Sequence, residues 1–132
     1  MSKIVTFDFD STLSRNDVQE YAKELINKGF DVWVLTSRYD ELHKHRFKHN
    51  PTNSDLYKVT DRLGIPRWKI RFTCMRAKAE YLKDTNVIWH LDDDSFELNM
   101  INKETKTTGI SVFGNYKIKC NKLLNIKPVK KN

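Results

Sequence analysis

Short apolar, β-branched runs that each stop abruptly at polar residues alternate along this chain with segments whose apolar residues recur at helical spacing. That alternation predicts an α/β fold, a Rossmann-like three-layer sandwich around a central, mostly parallel five-stranded sheet. A third observation concerns the strand ends, where carboxylates, hydroxyls and cations gather as the apolar runs finish. Open parallel sheets bind ligands beyond the carboxyl ends of their strands, so the pattern that predicts the fold also predicts where a site lies.

The first strand begins at about residue 3 and runs into Asp8-Phe9-Asp10-Ser11-Thr12-Leu13. Side chains alternate along a strand, which would put Asp8 and Asp10 on one side. Neighbouring carboxylates repel each other, and a divalent cation or a shared proton relieves the repulsion; oxygen ligands of this kind suit magnesium. Taken alone, the pair fits a solvated turn equally well. Residues 18–28 carry an apolar stripe of Val18, Tyr21, Ala22, Leu25 and Ile26 ended by Gly29, the signature of a first helix. A buried-strand run over 31–35 then stops at Thr36-Ser37-Arg38, and a helix over 56–63 is closed by Gly64 and Pro66. A weaker strand over 68–73 leads into a helix over 76–82 that carries Lys78 in its first turn, with Lys69 as a competing strand-end cation. Residues 86–91 form a further buried strand ending in Asp92-Asp93-Asp94, after which Phe96, Leu98, Met100 and Ile101 mark a helix capped by Asp94 or Ser95. A last strand over 108–114 completes the sheet.

Acids, a hydroxyl, a lysine and acids again, in that order and at strand exits, resemble the four motifs of the haloacid dehalogenase superfamily of phosphatases and phosphotransferases. The likeness spans roughly the first hundred residues: Asp8-Phe9-Asp10-Ser11-Thr12, then Thr36, then Lys78, then the acids within Asp92-Asp93-Asp94. Ser11 stands where glycine is commoner. In phosphoryl transfer Asp8 fits the nucleophile that would form an aspartyl-phosphate, and Asp10 fits the general acid and base. Thr36 and Lys78 fit the stabilisation of non-bridging oxygens. As the resemblance implies, Asp8 and the backbone carbonyl of Asp10 would hold Mg²⁺ with an acidic pair, Asp92 and Asp93 as the favoured choice and Asp93 with Asp94 as the alternative. Ser11, Thr12, Ser37 and Arg38, together with Lys44 and Arg46, are the expected substrate contacts, although Arg38 has an alternative in an ion pair with an acid such as Asp40. The presence of Asp10 disfavours dehalogenation, because the dehalogenases of the superfamily lack that acid.

Composition and length narrow the substrate. With 132 residues, 39% hydrophobic and no apolar run long enough for a bilayer, the expectation is a core over 1–115 without a full cap domain and a basic tail over 116–132, partly disordered. Within the tail a short helix over 120–126 would pack Leu123 and Leu124 on the domain. Only a short stretch follows the first motif and only a loop over 39–55 follows the second. The resemblance therefore implies an open site that takes bulky or macromolecular substrates. A formal net charge of +7 and a pI near 9.4 favour a polyanionic partner. The basic run from His43 to His49, with Phe47 inside it, suits a nucleic-acid end, and a solvated face with no role suits it as well. His45 and His49, four apart, raise a zinc reading that no suitably spaced acid or cysteine supports. Cys74 and Cys120 are too few for a disulfide framework, and no signal peptide precedes the first strand. A cytoplasmic protein, monomeric with a dimer left open, is expected.

The expected function is a magnesium-dependent phosphomonoester hydrolase acting on a nucleotide or nucleic-acid terminal phosphate, resembling the domains that remove 3′-phosphates in end-healing enzymes. A small-metabolite phosphatase is the enzymatic alternative. A phosphate-accepting regulatory module is the other, and the order of the groups counts against it.

Overall fold

The structure is a computed structural model that describes residues 2–43 and 52–128. Five strands, β1 (Ile4–Phe7), β2 (Asp31–Thr36), β3 (Ile70–Phe72), β4 (Val87–Asp92) and β5 (Thr108–Ser111), pair in the order β3-β2-β1-β4-β5, and every pairing is parallel. Five helices connect them: α1 (Asn16–Asn27), α2 (Ser54–Leu63), α3 (Lys78–Leu82), α4 (Ser95–Glu104) and α5 (Tyr116–Leu123). The chain builds outward from β1 to β3 and then returns to the other side of β1, which creates a crevice between β1 and β4 at their carboxyl ends.

Alternation along the strands divides the core in two. Val5 and Phe7 of β1, Val32 and Val34 of β2, and Trp89 and Leu91 of β4 face one side, where they meet Val18, Tyr21 and Leu25 of α1, Leu56 of α2 and Tyr116 and Cys120 of α5. Phe7 meets Trp89 edge-on at 5.2 Å between ring centroids, and Tyr21 stacks on Trp89 at 6.4 Å. Each such fully buried large side chain contributes about 1.5–3 kcal/mol of transfer free energy, so this face dominates stability. On the opposite face Leu35 packs with Ala79 and Leu82 of α3 and Ile101 of α4. Together the sheet and its two helical faces make the three layers.

Three elements differ from expectation for identifiable reasons. Pro66 initiates a short 3-10 turn over Arg67–Lys69, so β3 begins only at Ile70, and Lys69 pairs with Asp31 at 2.7 Å at the amino end of the sheet, away from the strand tips. In β4 the strand extends one residue further, and Asp92 lies in register with Ser111 inside the sheet. The last helix starts at Tyr116, four residues earlier than expected. Its stripe of Tyr116, Cys120 and then Leu124 just beyond faces the core, which turns Leu123 outward at 39% exposure. Tyr116 donates to Asp17 Oδ2 at 2.8 Å and Tyr21 donates to Asn121 Oδ1 at 2.5 Å, so this part of the basic tail is tied to α1. Residues 129–132 and the basic positions 44–49 lie outside the described residues. Among those described, no helix is long and apolar enough to cross a membrane.

Packing of α4 against β5 depends on a missing side chain. A Cβ at Gly109 would lie 3.0 Å from both the Leu98 carbonyl oxygen and its Cδ2, closer than packed atoms approach. Gly109→Ala is expected to destabilise the fold by about 1–3 kcal/mol, the usual cost of overpacking, read as a lowered denaturant midpoint with an unchanged slope.

Candidate functional site

The crevice between β1 and β4 is lined by acids because of register. Phe7 pairs with Leu91, so the next residues, Asp8 and Asp92, stand side by side, and Thr6 pairs with His90 in the same way. Alternation turns all four to the face covered by α3 and α4, opposite Val5 and Phe7. The amide of Asp8 donates to the Leu91 carbonyl at 2.9 Å, which holds the two strand ends together just where the chain leaves the sheet. Carboxylate oxygens of Asp8, Asp92 and Asp93 all lie within 4.8 Å of one another, the first two buried and the third half-buried. Asp94 takes no part in that group; its side chain caps α4 by accepting the amides of Phe96 and Glu97.

Lys78 enters from the first turn of α3. Its Nζ lies 2.8 Å from Asp8 Oδ1 and 2.6 Å from Asp92 Oδ2, and its side chain is almost fully buried. The Lys78 amide donates to Glu97 Oε2 at 3.0 Å, so α4 caps α3 and fixes where the lysine starts. The sequence carries no periodic signal for that cap, since its partners are 19 residues apart on different helices.

His90 is the residue that sequence reasoning missed. It is fully buried, with Nδ1 at 2.7 Å from Thr6 Oγ1 and Nε2 at 2.7 Å from Asp92 Oδ2. Burial holds the imidazole below its ordinary range, hence neutral. In that state the acceptor-only Asp92 carboxylate requires the proton on Nε2, so Asp92 sets the tautomer and the Thr6 hydroxyl donates to the bare Nδ1. A signal was present: Thr6 and His90 are each polar, inside apolar strands, two residues before an acid and on the same face.

Electrostatics set the two inner acids apart. Asp92 accepts from Lys78, His90 and the amide of Asp94 at 3.1 Å; although burial opposes ionisation, these donors hold its carboxyl well below the usual carboxylate range. Burial pushes Asp8 up to about 8, with Lys78 opposing and Asp92 adding repulsion. The Thr12 hydroxyl donates to Asp8 at a long 3.4 Å, and Asp93 shares a hydrogen bond with it that favours the protonated form. Burial also works against a charged Lys78, yet Asp8 and Asp92 outweigh it and hold the ammonium above its ordinary range. Three carboxyl groups share one ammonium, so even with Asp8 protonated the acids outnumber it, and the excess of negative charge grows when Asp8 gives up its proton. Hard oxygen donors with that excess suit a divalent cation such as magnesium.

Asp10 departs from the expected arrangement. The strand ends at Phe7, and residues 9–13 turn tightly, with Asp10 extended and Ser11 at a left-handed φ of 60°. The Asp10 carboxylate is therefore outside the three-acid group and is exposed. Arg38 grips it with Nη2 to Oδ1 at 2.7 Å and Nε to Oδ2 at 2.9 Å, while also holding Asp55 of α2 at 2.8 and 2.9 Å. The alternative partner for Arg38, Asp40, pairs with His43 instead. The guanidinium also sits 5.0 Å from the Phe9 ring centroid, and it draws Asp55 down to about 2. Thr36 is fully buried at the tip of β2, its hydroxyl accepting the Arg38 amide at 3.3 Å. Ser37 is half-buried beside it, Ser11 is exposed and Thr12 is buried under Asp8. Lys44 and Arg46 lie outside the described residues.

Comparison of the chain with family models, with curated proteins and with solved structures returned no match. The reading of the site accordingly stands on its geometry.

The state of Asp8 has a consequence for stability. The folded protein holds this proton up to about pH 8, whereas an unfolded carboxyl releases it near 3.8, so metal-free protein loses stability as pH rises between those values. Asp8→Asn removes the buried charge. Its melting temperature in EDTA is expected to exceed that of the wild type at pH 8, with the difference narrowing toward pH 5 and on addition of magnesium; a difference independent of pH would contradict the assignment.

Proposed function

We propose that the chain is a magnesium-dependent phosphomonoester hydrolase that works through an aspartyl-phosphate, of the kind found in the haloacid dehalogenase superfamily. The observation that carries this reading is Lys78 bonded to Asp8 and Asp92 beside Asp93, at the switch point of a parallel sheet. Magnesium held by Asp8, Asp92 and Asp93 would neutralise charge on the substrate's phosphate. Asp8 attacks phosphorus, and the bond from phosphorus to the ester oxygen breaks. Asp10 gives its proton to the departing oxygen, then takes one from the water that attacks the aspartyl-phosphate and releases inorganic phosphate. Lys78 stabilises negative charge on the non-bridging oxygens, and Thr36 and Ser37 stand at the adjacent tip to donate to them. Arg38 keeps Asp10 turned toward the mouth of the crevice.

A nucleotide or nucleic-acid terminus is the substrate class that the surroundings favour. Between β1 and α1 there are only Asp8, the turn over 9–13, Ser14 and Arg15, so nothing inserted at that point encloses the crevice. Large apolar side chains stand exposed just past three strand tips, Met75 after β3, Phe96 at the start of α4 and Phe113 after β5, at 63–71% exposure. Bases stack on such rings, and the formal net charge of +7 attracts the backbone.

The test is hydrolysis of an aryl phosphate and of a 3′-phosphorylated oligonucleotide, with and without magnesium. Wild type is expected to turn over both only with magnesium, Asp8→Asn neither, and Asp10→Asn about 10²–10⁴-fold more slowly. Exchanging Lys44 and Arg46 for Ser is expected to weaken only the oligonucleotide reaction. Equal rates on both substrates, unaffected by that exchange, would leave a small-metabolite phosphatase; no turnover of any phosphomonoester would overturn the hydrolase reading.

A further inference from the structure

A second group of metal-binding side chains lies beyond the tips of β2 and β3. Asp40 Oδ1 is 2.6 Å from His43 Nδ1, and Cys74 Sγ is 3.9 Å from the same nitrogen. Ligand atoms of all three residues lie within 4.8 Å of one another, and each residue is partly buried. None of the three belongs to the carboxylate group of the crevice.

The way these atoms meet says what they can do. A nucleophile relay needs a base that uses one ring nitrogen for the thiol and the other for the carboxylate. Here both partners converge on Nδ1, which rules out the relay and leaves three metal-binding atoms close together, with Asp40 Oδ1 also accepting the Leu42 and His43 amides at 3.1 Å. A proton now bridges Asp40 and His43. An ion in its place would need ligands about 2.0–2.3 Å away, which in a tetrahedron are roughly 3.3–3.7 Å apart. The carboxylate and imidazole must part by several tenths of an ångström, and the thiol must close in by a few. Such shifts are within the reach of side chains on loops.

We propose that Asp40, His43 and Cys74 form a zinc site with three protein ligands and one open position. Thiolate, imidazole and carboxylate together suit zinc, and they discriminate against magnesium, which needs oxygen ligands. A thiolate and a carboxylate also neutralise the ion's two charges. Zinc at this point ties the segment after β2 to the turn after β3, where the Cys74 amide donates to the Arg38 carbonyl at 3.2 Å and the Met75 amide donates to the Ser37 carbonyl at 2.8 Å. Cys74 and Met75 both hold left-handed φ values, 54° and 68°, which L side chains rarely adopt. The ion thus braces the turn that carries Ser37 and Arg38.

Cobalt(II) replaces zinc in such sites and reports a thiolate ligand through a sulfur-to-cobalt charge-transfer band in the near ultraviolet. The full chain is titrated with Co²⁺ under reducing conditions. One equivalent is expected to raise the band, and Zn²⁺ to bleach it. Cys74→Ser is expected to lose the band, and His43→Ala to weaken binding by more than the roughly 10–100-fold typical of losing an outer partner. Asp8→Asn is expected to keep it, which separates this site from the crevice. Cys120, fully buried on the core face of α5, cannot stand in for Cys74. No band in the wild type, a band that survives Cys74→Ser, or unchanged affinity in His43→Ala would overturn the proposal.

Discussion

Everything near the crevice depends on one buried ammonium. Lys78 bonds to Asp8 and Asp92, three groups of which none is more than 6% exposed at its side chain. Burying charges in this way costs several kcal/mol per ion before pairing, and removal of one partner from such a cluster typically costs about 3–5 kcal/mol. Lys78 cannot balance both acids and Asp93 as well. The fold holds an unneutralised anionic site that a purely structural ion pair would not need, and the cost is met by the large aromatic core on the opposite face of the same strands.

The supporting contacts explain how such a cluster stays in place. Asp92 is held from three directions, by Lys78, His90 and the Asp94 amide, while Thr6 orients His90 and Glu97 orients the start of α3. These partners come from β1, β4, α3 and α4, so every element of that side of the sheet contributes to one carboxylate. Asp8 has fewer donors. It is the less committed of the two acids, which fits the one that would exchange its partners during a reaction.

Legibility followed the length scale of the causes. Strand alternation and helical stripes act over a few residues, and they located all five strands and the apolar face of α1, while α2 was placed by Gly64 and Pro66 at its end. Strand tips carry their own polar residues, so Asp8, Thr36 and Asp92 could be singled out before their distances were known, and Lys78 by its place at a helix start together with the resemblance. Asp10 was misplaced because alternation was extended one step past the end of β1, into a turn where Ser11 adopts a left-handed φ. Contacts that join distant positions left no trace in local pattern: Glu97 with the Lys78 amide, Arg38 with Asp55, and Cys74 with His43, which is 31 residues away. Lys69 shows the converse, because a strand-end cation proves nothing about which end of the strand it occupies.

The clamp on Asp10 ties the exposed part of the site to its buried part. Arg38 gives four of its donors to two carboxylates and one, at a long 3.5 Å, to Asn53 Oδ1, with its guanidinium near the Phe9 ring, so the triad of Asp10, Arg38 and Asp55 carries a net negative charge. If the chain acts on a phosphomonoester as proposed, an arriving phosphate would compete with both acids for the same guanidinium. It wins only if the positive charge deeper in the crevice outweighs the repulsion from Asp10 and Asp55, and Lys78 alone is already committed to two carboxylates. Under that proposal the two halves are linked by charge: a cation held among Asp8, Asp92 and Asp93 would offset the repulsion that Asp10 and Asp55 exert on an anion.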